Sequence, residues 1–151
     1  MQKACFLTLM LAMAICLGCA HSKRLYTSDC AEGIVFKKVS YANLVDSIKY
    51  YNLQYVEISG RYTEGKNLSA LVNDSLYDVH GNSRALWVNF TQDCPLYLAG
   101  TQKGFFDAED GSYTHMNNRM VTLRGRVDVK MKGHLKEYRG AIDQVSYVEL
   151  H

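Results

Sequence analysis

The sequence predicts a mainly β fold: a small five-stranded OB-like Greek-key barrel with a short N-terminal helix. Three observations carry that expectation. Residues 56–62 and 121–127 share the pattern V-x-[I/L]-x-G-R-[V/Y]. In each copy apolar residues alternate with polar ones, and Gly60 or Gly125 falls on the apolar phase. That is the period of a half-buried strand, with glycine where a strongly bent strand needs a bulge or a close backbone approach. Five such segments are separated by turn-forming residues, and a sandwich needs about seven strands. Ser59 and Thr122, on the opposite phase, are expected to face outward and to tolerate Val.

Taken in order, residues 33–38 form a short first strand or a lead-in to the barrel. Ser40 is an N-cap for an amphipathic helix over residues 40–51, with Leu44, Val45, Ile48 and Tyr51 on its apolar face. Residues 54–63 are the first barrel strand, Glu64-Gly-Lys-Asn67 a hairpin turn, and residues 68–72 the return. Residues 76–83 read as a polar loop and 84–91 as the third strand. Residues 92–118 contain the only proline, Pro95, and form a long excursion with at most short helix. Residues 120–130 and 139–150 are strands four and five. In the last, Ile142, Val145 and Val148 are spaced by three, so a bulge is expected there.

The ends carry a separate message. Residues 6–17 are nearly all apolar behind Lys3, the length of a signal-peptide core and too short to span a bilayer comfortably. Gly18-Cys19 follows directly, which resembles the lipobox of bacterial lipoproteins, in which the Cys becomes the acylated first residue and carries chains such as palmitate. Cys16 stands where such boxes usually carry Leu. The alternative is an ordinary cleaved leader with an incidental Cys. Residues 1–18 are thus expected as a lipoprotein signal peptide, 19–32 as a lipid-anchored tether and 33–151 as the barrel domain. The location this implies is the bacterial cell envelope, with the domain facing the periplasm or the cell surface.

Composition agrees with export. Seventeen Lys and Arg stand against fifteen Asp and Glu, so there is no field for polyanion binding as the main business. Of the five cysteines, Cys5 and Cys16 leave with the leader and Cys19 takes the lipid. Cys30 and Cys94 remain, either as one bridge in an oxidising compartment or as two partly buried thiols.

Residues 56–62, 71–74, 121–127 and 133–142 look like parts of small exported OB-fold-like proteins of bacterial envelopes, many of them lipoproteins without an assigned activity. The resemblance spans residues 40–150 and implies a barrel whose binding face is built from strands two and three with flanking loops. On that face the candidate ligand residues are Trp87, Asn89, Lys132 and His134. Trp87 lies on the phase opposite Leu86, Val88 and Phe90 and could stack sugars or bases. Its alternative is packing beneath the helix or the 92–118 excursion. His134 sits in a glycine-flanked turn and either binds a ligand or holds the loop.

No H-x-x-H or H-E-x-x-H spacing occurs, and the one C-x-x-C, Cys16-Leu17-Gly18-Cys19, is taken up by the leader and lipobox, so neither a metal site nor a cofactor is expected. Asp107, Glu109 and Asp110 lack the alternation and closing Glu of a calcium loop. Three functions are in play. The first is a non-catalytic binding or assembly module on the envelope, attached to the membrane through its N-terminal lipid and recognising an envelope protein or glycan. The second is a nucleic-acid- or oligosaccharide-binding domain, with near-neutral charge and export opposing nucleic acid. The third is a hydrolase pairing His134 or His115 with an acid from residues 107–110, for which no spacing orients the imidazole.

Overall fold

The computed structural model describes residues 23–107 and 114–151; the leader, Cys19, Glu109 and Asp110 fall outside them. Five strands close the barrel: β3 (Tyr55–Gly65), β4 (Leu68–Val72), β5 (Leu86–Val88), β7 (Arg119–Asp128) and β8 (Gly140–Leu150). Their order around the ring is β3-β4-β5-β8-β7 and back to β3, with β5 parallel to β8 and the other pairs antiparallel. This is the Greek-key connectivity of an OB-like barrel. Three short strands extend it: β1 (Arg24–Thr27), β2 (Lys37–Lys38) and β6 (Tyr97–Leu98).

The two copies of the repeated pattern pair with each other. Val56 lies opposite Gly125, Ile58 opposite Leu123 and Gly60 opposite Val121, so each glycine faces the leading valine of the other copy. Both glycines are points of close approach. A Cβ on Gly60 would lie 2.8 Å from Leu71 Cγ and 3.0 Å from the Val72 carbonyl oxygen. One on Gly125 would lie 2.7 Å from both the Asp143 carbonyl oxygen and Ile142 Cγ2. On the outer phase, Arg124 Nε donates to Glu57 Oε2 at 2.7 Å, and the Ser59 and Thr122 hydroxyls share a hydrogen bond of 2.8 Å. Thr122 departs from the expected exposure. Only 8% of it is accessible, because the His151 ring, 3.0 Å from its hydroxyl, covers it. Val at Ser59 is therefore the tolerated change of the two.

The expected bulge is in β8. Arg124 pairs with Tyr147 but Arg126 pairs with Asp143, so three residues of β8 oppose one of β7. Gln144 takes φ +48° there, and its side-chain oxygen accepts from the Tyr55 hydroxyl at 2.9 Å.

Helix α1 (Tyr41–Asp46) starts as the sequence requires: Ser40 Oγ accepts from the Asn43 amide at 3.4 Å. It is shorter than the expected three turns. Ser47 leaves helical geometry at φ −120°, and the chain continues as a 3₁₀ turn, Ile48–Tyr51. That tightening drives Ile48 against β8, where Gly140 leaves room; a Cβ there would meet Ile48 Cδ1 at 2.6 Å. Leu44, Val45 and Ile48 join the barrel core, and burial of each contributes about 1.5–3 kcal/mol.

Two buried tyrosines give the fold an alkaline limit. The Tyr41 hydroxyl is shared between the Leu71 and Arg84 carbonyls at 2.8 and 2.9 Å, and burial pushes its phenol far above the ordinary range. Burial pushes Tyr62 up to about 12. Both folded pKa values exceed the unfolded value near 10, so the stability they contribute is complete below pH 10 and is lost as pH rises above it. For Tyr62 that loss, between pH 10 and about 12, is on the order of 2 kcal/mol. Urea midpoints against pH should fall over this window, and less steeply in Tyr62→Phe; identical slopes would refute the assignment.

Three sequence expectations need correction. Residues 24–31 are not tether: β1 pairs antiparallel along the end of β8, from Arg24 opposite Leu150 to Thr27 opposite Tyr147. Tyr26 is the cause. It is 2% exposed, its ring meets Phe105 edge-on at 4.8 Å, and its hydroxyl bonds the Thr114 hydroxyl at 3.2 Å. Residues 76–83 are not a loop but mostly helix α2 (Asp74–His80), followed by the 3₁₀ turn Gly81–Arg84. Asn73 precedes it in extended geometry, Asp74 opens its first turn, and Gly81 ends it at φ +56°. The third strand is three residues, because Phe90 turns off the sheet to stack on Phe105 at 5.6 Å.

Within the 92–118 excursion the described residues hold one short strand, β6, paired with β1. Cys30 and Cys94 are disulfide-bonded with their Cα atoms 5.3 Å apart, tying the start of the domain to this excursion.

Candidate functional site

Three connections converge on the outer side of β4 and β5: the β3–β4 turn, helix α2 with the turn after it, and the loop over residues 130–139. Between them lies a groove of about 260 Å³. Lys66 and Asn67 form one wall, Tyr77 and Asn82 a second, and His134 with Glu137 a third; Tyr138 lies beneath. Asn67 takes φ +60°, the left-handed geometry that Asn accepts in a tight hairpin. Asn82 Nδ2 donates to Glu137 Oε2 at 3.0 Å, joining the second and third walls. Burial chiefly, with lesser help from Tyr77 and Glu137, raises the Tyr138 phenol above its ordinary pKa.

The four expected ligand residues divide. His134 lines this groove and is exposed, and Lys132 is exposed on the same loop. Trp87 takes the expected outward phase but is no open platform. Its ring meets Tyr138 at 5.2 Å, and Gly133 is laid across it so closely that a Cβ would come within 2.5 Å of the indole. Trp87 instead forms the floor under the 130–139 loop, in a second apolar cluster with Tyr138, Ala70, Val72 and Ala85. Asn89 is likewise structural. Its side-chain amide donates to Asp143 Oδ1 at 2.9 Å, while Arg126 Nη2 lies 3.0 Å from Oδ2. Asp143 is 6% exposed, and this pairing holds its carboxylate at the β8 bulge.

The groove's other residues were out of reach of sequence reading. Tyr77, Asn82, Glu137 and Tyr138 come from segments that meet only when the barrel closes. The one local signal was the hairpin turn bearing Lys66 and Asn67. Among the described residues no hydrogen bond joins His134 to a carboxylate, and no cluster of His, Cys, Asp and Glu could hold a metal ion. The acid named with it, Asp107, accepts from the Gly104 amide at 2.6 Å within its own turn.

A larger hollow, about 680 Å³, lies outside the barrel between residues 27–30 and 93–102. Its ionisable side chains are Asp29, Asp93 and the phenol of Tyr97. It lacks the combination of cation, amide and aromatic that the groove offers. The groove can hydrogen-bond an extended polar ligand from both sides while the half-buried Tyr77 supplies flat apolar area. No family model, curated protein or solved structure matches the chain.

Proposed function

We propose that this protein is a cell-envelope lipoprotein, acylated at Cys19, whose barrel is a non-catalytic module binding an extended polar ligand such as a glycan. The observation that carries this reading is the groove between the β3–β4 turn and the 130–139 loop. It lies where small barrels of this connectivity bind oligomeric ligands. Its lining of amides, tyrosines and one lysine suits hydroxyl-rich chains better than a phosphate backbone. The near balance of acidic and basic residues argues the same way against nucleic acid.

Two measurements test the reading. Mass spectrometry of the mature N-terminus should find acylated Cys19, with Cys19→Ser unacylated; an unmodified N-terminus elsewhere rejects the anchor. Titration of isotope-labelled protein with soluble peptidoglycan fragments should shift amides at residues 66–68 and 134–138, and Asn82→Ala should weaken those shifts. Shifts confined to other surfaces, or none, would reject the groove.

A further inference from the structure

We propose that the end of the barrel carrying Leu53 and Leu135 is a second attachment surface, which docks on an anionic lipid bilayer. Leu53 and Leu135 are both in the left-handed region, at φ +64° and +55°, and are 59% and 72% exposed. Comparable turns elsewhere use Asn67 and Asn118, residues that accept this geometry readily. A leucine strained and held in water twice in one domain needs a reason, and contact with something apolar supplies one. Leu53 sits at the root of the loop that carries Leu135. The Leu53 amide donates to the Val127 carbonyl at 2.8 Å and the Val129 amide to Asn52 Oδ1 at 3.1 Å, where the 130–139 loop leaves β7. Tyr50, 82% exposed, is three residues from Leu53.

The charge around them fits one occupant. Lys130, Lys132 and Lys136 are exposed on the loop. Of the acids nearby, Asp128 Oδ1 accepts from the Lys130 and Met131 amides at 2.7 and 3.2 Å, and Glu137 is turned to Asn82 on the groove side. Leucine and tyrosine set among lysines match a headgroup layer, where the aliphatic stems lie along the acyl boundary and the ammonium groups meet anionic lipid. A protein partner fits less well, because protein interfaces are depleted in Lys and favour Arg. Leu135 and the three lysines are not among the residues lining the groove, to which the same loop gives His134, Glu137 and Tyr138.

The test uses the unacylated chain from Ala20 onward, since every described strand, the core and the disulfide lie at or after residue 23. Co-sedimentation should show binding to vesicles of phosphatidylcholine with phosphatidylglycerol and none to phosphatidylcholine alone, and added salt should weaken it. Leu53→Asn and Leu135→Asn should each weaken binding on the order of tenfold. Asn suits the left-handed backbone, so urea midpoints no lower than wild type separate this loss from unfolding. Lys130→Glu with Lys132→Glu and Lys136→Glu should abolish binding. Val79→Asn, at an exposed apolar position of α2, should leave vesicle binding unchanged. Absence of binding to either vesicle, binding indifferent to phosphatidylglycerol, or equal losses at Val79 would overturn the proposal.

Discussion

Gly125→Val is expected to destabilise the domain by about 3 kcal/mol, at the upper end of what overpacking costs. Two of the atoms a side chain would meet explain the size. The Asp143 carbonyl oxygen belongs to the β8 backbone, fixed by the bulge and by pairing to β7, and Ile142 Cγ2 is part of a fully buried β-branched side chain. Neither can yield without breaking the register. Gly60→Val should cost less, about 1–2 kcal/mol, because the backbone it meets, the Val72 carbonyl oxygen at 3.0 Å, lies further off than the Asp143 carbonyl oxygen at 2.7 Å. Ser59→Val should stay within about half a kcal/mol. Urea midpoints of the three variants decide it: an order other than Gly125 above Gly60 above Ser59 would mean the two strands are not packed as described.

Replacing Cys30 and Cys94 together by Ser is expected to cost roughly 2–4 kcal/mol. The bridge closes 64 residues of chain, a large loop whose freedom returns to the unfolded state when it is cut. It also fastens two segments the barrel would otherwise hold weakly. Residues 29–31 bury no side chain completely, and β6 has two residues, so this link adds to the buried Leu96, Phe105 and Met116 in holding the excursion. Unfolding with and without reductant should reproduce the loss in the unaltered chain. Equal midpoints would show that the bridge fastens what was already fixed.

The barrel was legible because its information is local and periodic. The glycines of the repeated pattern mark the phase of β3 and β7, and the three-residue spacing of Ile142, Val145 and Val148 marks the bulge. What escaped was short or depended on distant partners. In β1 only Leu25 and Tyr26 are apolar and no turn sets it off, so four residues look like tether until β8 lies beside them. Helix α2 shows its start and stop in Asn73 and Gly81 but buries no residue fully, so no apolar stripe announces it. At Trp87 the phase was readable and the destination was not. The side chain leaves the barrel as alternation demands, and Gly133, forty-six positions away, then closes over it.

The pairing of β1 with β8 shortens the mooring line. With Cys19 acylated, four peptide steps separate it from Lys23, a reach of about 14 Å when fully extended. The Arg24 end of the barrel would then be berthed at the headgroups rather than drifting above them. Along β8, where the bulge takes up two extra residues, Gly140 and the loop before it are about eight strand spacings from Leu150, roughly 26 Å. Were that anchor the sole contact, the groove beside this loop could stand off from the bilayer by up to about that length. To set Leu53 and Leu135 on that same bilayer it must heel over onto its side, pivoting about Arg24. Under the two proposed attachments the attitudes would differ by where the groove opens, and the lipid composition beneath would choose between them.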